Sequence, residues 1–164
     1  MKNPPVVPTT GKTYKTIVRR ISKRIRKCDV NDFPSPLKIV DAGCGYGTLL
    51  IPLAKEFPQH QFVGIEYAWF AYRIAKFRAR KLQNIQIVYG DIFEYDFSQV
   101  DFVICFLLSS LMPKFSQKCF NELHKKSYIF ANRFALTGLE PMEKIDLGDD
   151  FSYIYLYKYL KNES

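Results

Sequence analysis

Long apolar stretches are missing from this chain of 164 residues: the longest uninterrupted run, Phe102 to Leu108, is seven residues, against the roughly 20 needed to cross a bilayer. The charged N-terminal start is followed by no apolar segment, which argues against a secretory signal. A cytoplasmic protein is the resulting expectation. Cysteine pairs are missing too: Cys28, Cys44, Cys105 and Cys119 are scattered, with no C-x-x-C spacing. That excludes the common zinc patterns and favours reduced thiols, so no metal is expected. Histidine is scarce. His60 and His124 sit in polar, helix-flanking contexts and read as solvated. Internal repeats and low-complexity segments are lacking as well.

Acidic residues are absent from one region. Residues 1–27 carry nine Lys/Arg and no Asp/Glu, so the remaining 137 hold 15 basic against 16 acidic residues, and the net charge of +8 reads as a basic arm on a nearly neutral body. Within that arm Tyr14, Ile17, Val18, Ile21, Ile25 and Cys28 recur at helical spacing, with Lys15, Arg19, Lys23, Arg26 and Lys27 opposite. Pro4, Pro5 and Pro8 keep the preceding stretch extended, and Thr10 or Thr13 can cap the helix. The division expected is an arm over 1–36 and one domain over 37–164. The basic face would serve an anionic membrane surface, RNA or an acidic protein. DNA is not expected.

Nearly half of the residues are apolar, with 14 Phe and 11 Tyr, enough for one core without disulfides. From Leu37 onward short β-branched runs alternate with helical patterns, the mark of an α/β parallel sheet covered on both faces. Strands are expected at Lys38–Ala42, Phe62–Glu66, Ile85–Tyr89, Asp101–Phe106 and Ser127–Phe130, with helices at Thr48–Phe57, Trp69–Lys81 and Phe115–Lys125. Met142–Leu147 and the alternating Phe151–Lys158, joined by a turn at Gly148-Asp149-Asp150, add two strands at the end. On the helix after the second strand, Trp69, Phe70, Tyr72 and Phe77 are read as core packing under a basic outer face.

Asp41-Ala42-Gly43-Cys44-Gly45-Tyr46-Gly47 follows the first strand and precedes a helix. Glycines there let the chain turn tightly and approach a ligand, while the N–H groups of the helix start offer donors. A dinucleotide loop, G-x-G-x-x-G, would need glycine at position 48, which is Thr48. Asp41 would also repel a pyrophosphate. It suits a ligand carrying positive charge, as S-adenosylmethionine (SAM) does in its ammonium and sulfonium. Glu66, ending the second strand, can accept from two ribose hydroxyls. Asp91, after Gly90 at the end of the third strand, can accept from an adenine amino group while the Ile92 N–H donates to the ring.

These motifs resemble the successive motifs of class I, seven-stranded SAM-dependent methyltransferases over about residues 37–130. The resemblance implies a Rossmann-like, doubly wound sheet of order 3-2-1-4-5-7-6 with strand seven antiparallel. It also implies cofactor contacts at Asp41, Gly43, Gly45, Gly47, Glu66, Asp91 and Ile92. Val7-Pro8-Thr9, Gly64-Ile65-Glu66-Tyr67 with Trp69, Asp96-Phe97-Ser98, Phe106-Leu107-Leu108 and Asn132-Arg133-Phe134 are similar to a narrower group. It contains small protein-lysine methyltransferases, among them an archaeal broad-specificity enzyme and the mitochondrial enzymes acting on the ATP synthase c-subunit and the ADP/ATP carrier.

After strand four the positions read Cys105-Phe106-Leu107-Leu108-Ser109-Ser110, without the Asn/Asp-Pro-Pro-aromatic motif that grips planar amide or adenine nitrogens. Phe106, Tyr46, Phe134 and Tyr14 are available to line a dry pocket that keeps an attacking lysine neutral. No general base is identified. A methyltransferase acting on RNA or a small molecule, and a non-catalytic SAM-binding domain, remain open at this point.

Overall fold

The computed structural model describes residues 11–31, 36–148 and 153–159. The elements run α1 (Gly11–Asn31), β1 (Lys38–Ala42), α2 (Leu50–Glu56), β2 (Gln61–Glu66), α3 (Trp69–Ala79), β3 (Ile85–Tyr89), β4 (Phe102–Cys105), α4 (Met112–Glu122), β5 (Tyr128–Asn132), β6 (Glu143–Asp146) and β7 (Tyr153–Lys158). One seven-stranded sheet has the order β3-β2-β1-β4-β5-β7-β6. β1 to β5 pair in parallel, and β7 lies antiparallel to both β5 and β6. The fold class and strand order are those expected.

Continuous apolar runs place both faces of the central strands in core. Ile39, Phe62, Phe102 and Phe130 face one cluster with Leu50 and Leu53 of α2. Val40, Val103 and Ile129 face a second with Phe115 and Cys119 of α4. The α1 stripe behaves as its spacing predicts, because Ile17, Ile21, Ile25 and Cys28 are buried in the same cluster as α2 and the sheet. Lys15, Arg19, Lys23, Arg26 and Lys27 stay exposed. Helix α1 is therefore a covering helix, and its loss would uncover one face of the sheet.

Three expectations change. α3 turns Ala71, Ala75 and Ala79 toward the sheet, while Trp69, Phe70 and Phe77 are 55%, 67% and 64% exposed. Alanines four apart let the helix lie close to the strands, and of the four rings only Tyr72, half-buried, packs against the core as expected. His60 is buried rather than solvated, with its Nδ1 accepting the Leu37 N–H at 3.3 Å; His124, partly buried, meets Asp101 at 3.1 Å. α4 starts at Met112, three residues before the expected Phe115, because a 3-10 turn at Ser109–Leu111 leads into Pro113 in the first helical turn. The readings at Pro4, Pro5, Val7-Pro8-Thr9, Thr10, Asp149-Asp150 and Phe151-Ser152 lie outside the described residues.

Candidate active site

Parallel pairing of β1, β2 and β3 puts Asp41, Glu66 and the Gly90-Asp91 turn at the same edge of the sheet. The loop after β1 is fixed to β2 by its own backbone: the Gly43 and Cys44 N–H groups both donate to Ile65 O at 3.0 Å. Gly43, Gly45 and Gly47 all have positive φ, at +87°, +54° and +70°, a backbone region that side-chain-bearing residues resist. At Gly43 a Cβ would lie 3.2 Å from Leu107 Cδ2, so this turn also touches the chain leaving β4. Thr48 and Leu49 belong to the turn, and α2 begins only at Leu50.

Glu66 holds this loop. Its Oε2 accepts the Gly45 N–H and its Oε1 accepts the Ala68 N–H, both at 2.7 Å, and the residue is 6% exposed. Asp41 is 4% exposed, and among the described residues no group donates a hydrogen bond to its carboxylate. Burial, with the Glu66 charge adding to it, pushes the Asp41 pKa up to about 7. The same surroundings raise the Cys44 thiol well above its ordinary range, which keeps it neutral and unreactive. Two buried carboxylates close enough to oppose each other's ionisation, with no described lysine or arginine paired to either, have the chemistry to accept positive charge or hydroxyl donors.

The third acid is wetter. Asp91 is partly exposed, and its Oδ1 accepts the Phe93 N–H at 2.9 Å. Gly90 N–H donates to Glu66 O at 3.1 Å, tying the β3 turn to the end of β2, and Ile92 is buried against the sheet. Asp41, the three glycines and Glu66 thus lie together at the ends of β1 and β2, with Asp91 and Ile92 one strand further out.

Three contributors carry weaker sequence signals. Gly64, inside β2, faces Cys44: a Cβ there would lie 2.7 Å from the sulfur, and a strand-interior glycine is the available clue. Tyr14 donates to Thr48 O at 3.0 Å and Arg78 to Tyr46 O at 2.7 Å, so α1 and α3 brace the glycine loop from outside. Those long-range contacts leave no local pattern.

A family model described as the ANTKMT methyltransferase domain matches residues 41–143. A protein-lysine N-methyltransferase of Saccharolobus islandicus (strain REY15A) is 31% identical over 158 residues, covering 93% of this chain and 92% of that relative. An uncharacterized protein of Rickettsia prowazekii (strain Madrid E) is 28% identical over 113 residues, covering 65% of this chain and 43% of its own. Among solved structures, an RNA methyltransferase from Salinibacter ruber in complex with S-adenosyl-L-homocysteine is similar in fold. Its TM-score is 0.78 at 23% identity, covering 96% of this chain and 97% of that one.

Proposed function

Because this chain belongs to the ANTKMT methyltransferase domain family and is a SAM-dependent methyltransferase, we propose that it methylates the side-chain amine of protein lysines. In this reading the methionine end of SAM lies against Asp41 and Gly43, with Gly45 and Gly47 shaping the turn beside it. Glu66 takes the ribose hydroxyls through lone pairs that its backbone donors leave open. Asp91 accepts from the adenine amino group and the Ile92 N–H donates to the ring. The acceptor set fits: buried carboxylates with no counter-cation among the described residues match a cationic, hydroxyl-bearing ligand and would repel a phosphate.

Bound SAM supplies an electrophilic methyl group on a sulfonium. The chain's own residues must then hold a neutral amine in line with it and keep water out. The observation carrying the lysine reading is the apolar edge next to Gly43. Leu107 is buried and packs at that glycine, Phe106 before it in the chain is half-buried, and neither an amide nor a carboxylate occupies 105–108. Such a wall disfavours an ammonium and lowers a lysine pKa toward neutrality, while offering nothing to grip a planar amide or base. The 31% identity to a protein-lysine methyltransferase supports the same acceptor.

Residues 1–36, in this reading, are an arm whose helix α1 covers the SAM-binding domain of 37–164, with its outer basic face available to an acidic protein, RNA or an anionic membrane. Four buried free thiols suit a reducing compartment such as the cytoplasm. RNA is the competing acceptor. Labelled SAM incubated with the protein and a cell extract separates them: label removed by protease and resistant to nuclease supports lysine, and label removed by nuclease alone refutes it.

A further inference from the structure

The charge of the chain is segregated by layer as well as by sequence. Helices α1, α2 and α3 cover the same face of the sheet. Eight Lys/Arg lie on α1, Lys55 on α2 and Arg73, Lys76 and Arg78 on α3, against Asp29 and Glu56 alone. Glu56 is already engaged by Ser22 and Arg26. Positions 67–81 contain five basic residues and no acid.

On α3 the cations are interleaved with apolar rings on the outward arc. Trp69, Phe70, Arg73, Lys76, Phe77 and Arg80 are all exposed. The Arg80 guanidinium sits 3.7 Å from the Phe77 ring centre, Arg73 5.4 Å from Trp69 and Lys76 5.4 Å from Tyr72. Exposed rings of this size, projecting from a convex helix beside unopposed cations, need a partner that is apolar at one depth and anionic at the next.

We propose that the outer face of α3, continued by the basic face of α1, docks on an anionic lipid bilayer. Trp69, Phe70 and Phe77 enter the boundary between headgroups and acyl chains, and Arg73, Lys76 and Arg80 stay at the level of the lipid phosphates. A bilayer fits better than a single-stranded nucleic acid. Single strands are tracked by a basic groove with rings along its floor, whereas these rings project outward from an exposed helix face. No helix of the described residues is long and apolar enough to cross a membrane, so the contact is peripheral. It also sets an orientation, since α3 begins three residues after Glu66 and brings the cofactor edge toward the lipid.

Trp69 is the single tryptophan of the chain, which makes it the reporter. The full chain is mixed with phosphatidylcholine vesicles with and without phosphatidylserine. Phosphatidylserine vesicles should shift Trp69 emission to the blue, and acyl-chain-brominated lipid should quench it. Co-sedimentation should fall at least about tenfold on neutral vesicles, and similarly for R73E/R80E on anionic ones. F70A/F77A should lose quenching while SAM affinity, measured by calorimetry, stays unchanged. Absence of quenching on anionic vesicles overturns the proposal. So does an emission change with single-stranded RNA or an acidic peptide and none with vesicles, or vesicle binding that both double variants retain.

Discussion

The Gly45 N–H donates to Glu66 Oε2 at 2.7 Å, so the carboxylate proposed to receive the ribose also fixes the glycine turn proposed to receive the methionine end. Two subsites are coupled through one side chain. Glu66→Ala removes both functions and should weaken SAM binding by about 1.5–3 kcal/mol, roughly 10- to 150-fold. It should also lower thermal stability, because Gly45 and Ala68 N–H groups lose their acceptor. Glu66→Gln keeps one acceptor oxygen and should recover part of the stability but little of the affinity. Calorimetric titration beside a melting curve separates the two, and wild-type affinity in Glu66→Ala would refute the assignment.

Asp41 makes the SAM-free protein and its complex respond to pH in related ways. Its folded pKa is raised from 3.8 to about 7, so the folded protein holds this proton more tightly than the unfolded chain does. The stability contributed is full below about pH 4 and is lost as pH rises to about 7, a span equivalent to at most about 4 kcal/mol. Pairing with an ammonium requires the ionised form, so SAM affinity should rise with pH up to about 7 and then level off, with proton release on binding below that. Asp41→Asn should abolish binding, flatten both profiles and stabilise the ligand-free protein at pH 8 by about 1–3 kcal/mol. Calorimetry in buffers of differing ionisation enthalpy reads the proton release directly.

Gly64→Ala should be costly although the change is one methyl group. The added Cβ would lie 2.7 Å from Cys44 Sγ and 3.0 Å from Ile87 Cδ1, in a buried strand with no room to shift. A loss of about 1–3 kcal/mol is expected from chemical denaturation. Cys44→Ala in the same chain removes the closer obstacle and should restore part of it.

Helix α1 should prove structural. Ile21 and Ile25 have no exposed surface and share the core of α2 and the sheet, so Ile21→Ala should cost about 2–5 kcal/mol. Deleting residues 1–27 should abolish cooperative unfolding. Tyr14→Phe removes only the hydrogen bond to Thr48 O and should weaken SAM binding by about 0.5–1.5 kcal/mol with little change in melting temperature.

The sheet was readable from the chain because its inner strands are near-continuous apolar runs, Ile39-Val40 and Phe102-Val103-Ile104-Cys105, each buried on both faces. The close of the sheet at β6 and β7 was readable from the switch to period-two alternation. The outward face of α3 was not, because hydrophobicity alone cannot tell a ring that packs from one that projects. The deciding signal was the alanine stripe Ala71-Ala75-Ala79, which permits close contact with the strands. The burial of His60 is hidden from sequence for a related reason: its polar neighbours Gln59 and Gln61 are exposed, while the ring itself turns inward to the Leu37 N–H. At the site, the acids and glycines were visible at their strand ends, whereas the braces from Tyr14 and Arg78 cross more than thirty positions and have no local signature.

Methyl transfer to lysine is tested most directly by incubating the purified protein with deuteromethyl SAM and a protein extract, then mapping the heavy methyl group by tandem mass spectrometry. The result expected is label on lysine side-chain nitrogens, absent when Asp41→Asn replaces the wild-type chain. Label confined to RNA, to small molecules or to residues other than lysine would contradict it.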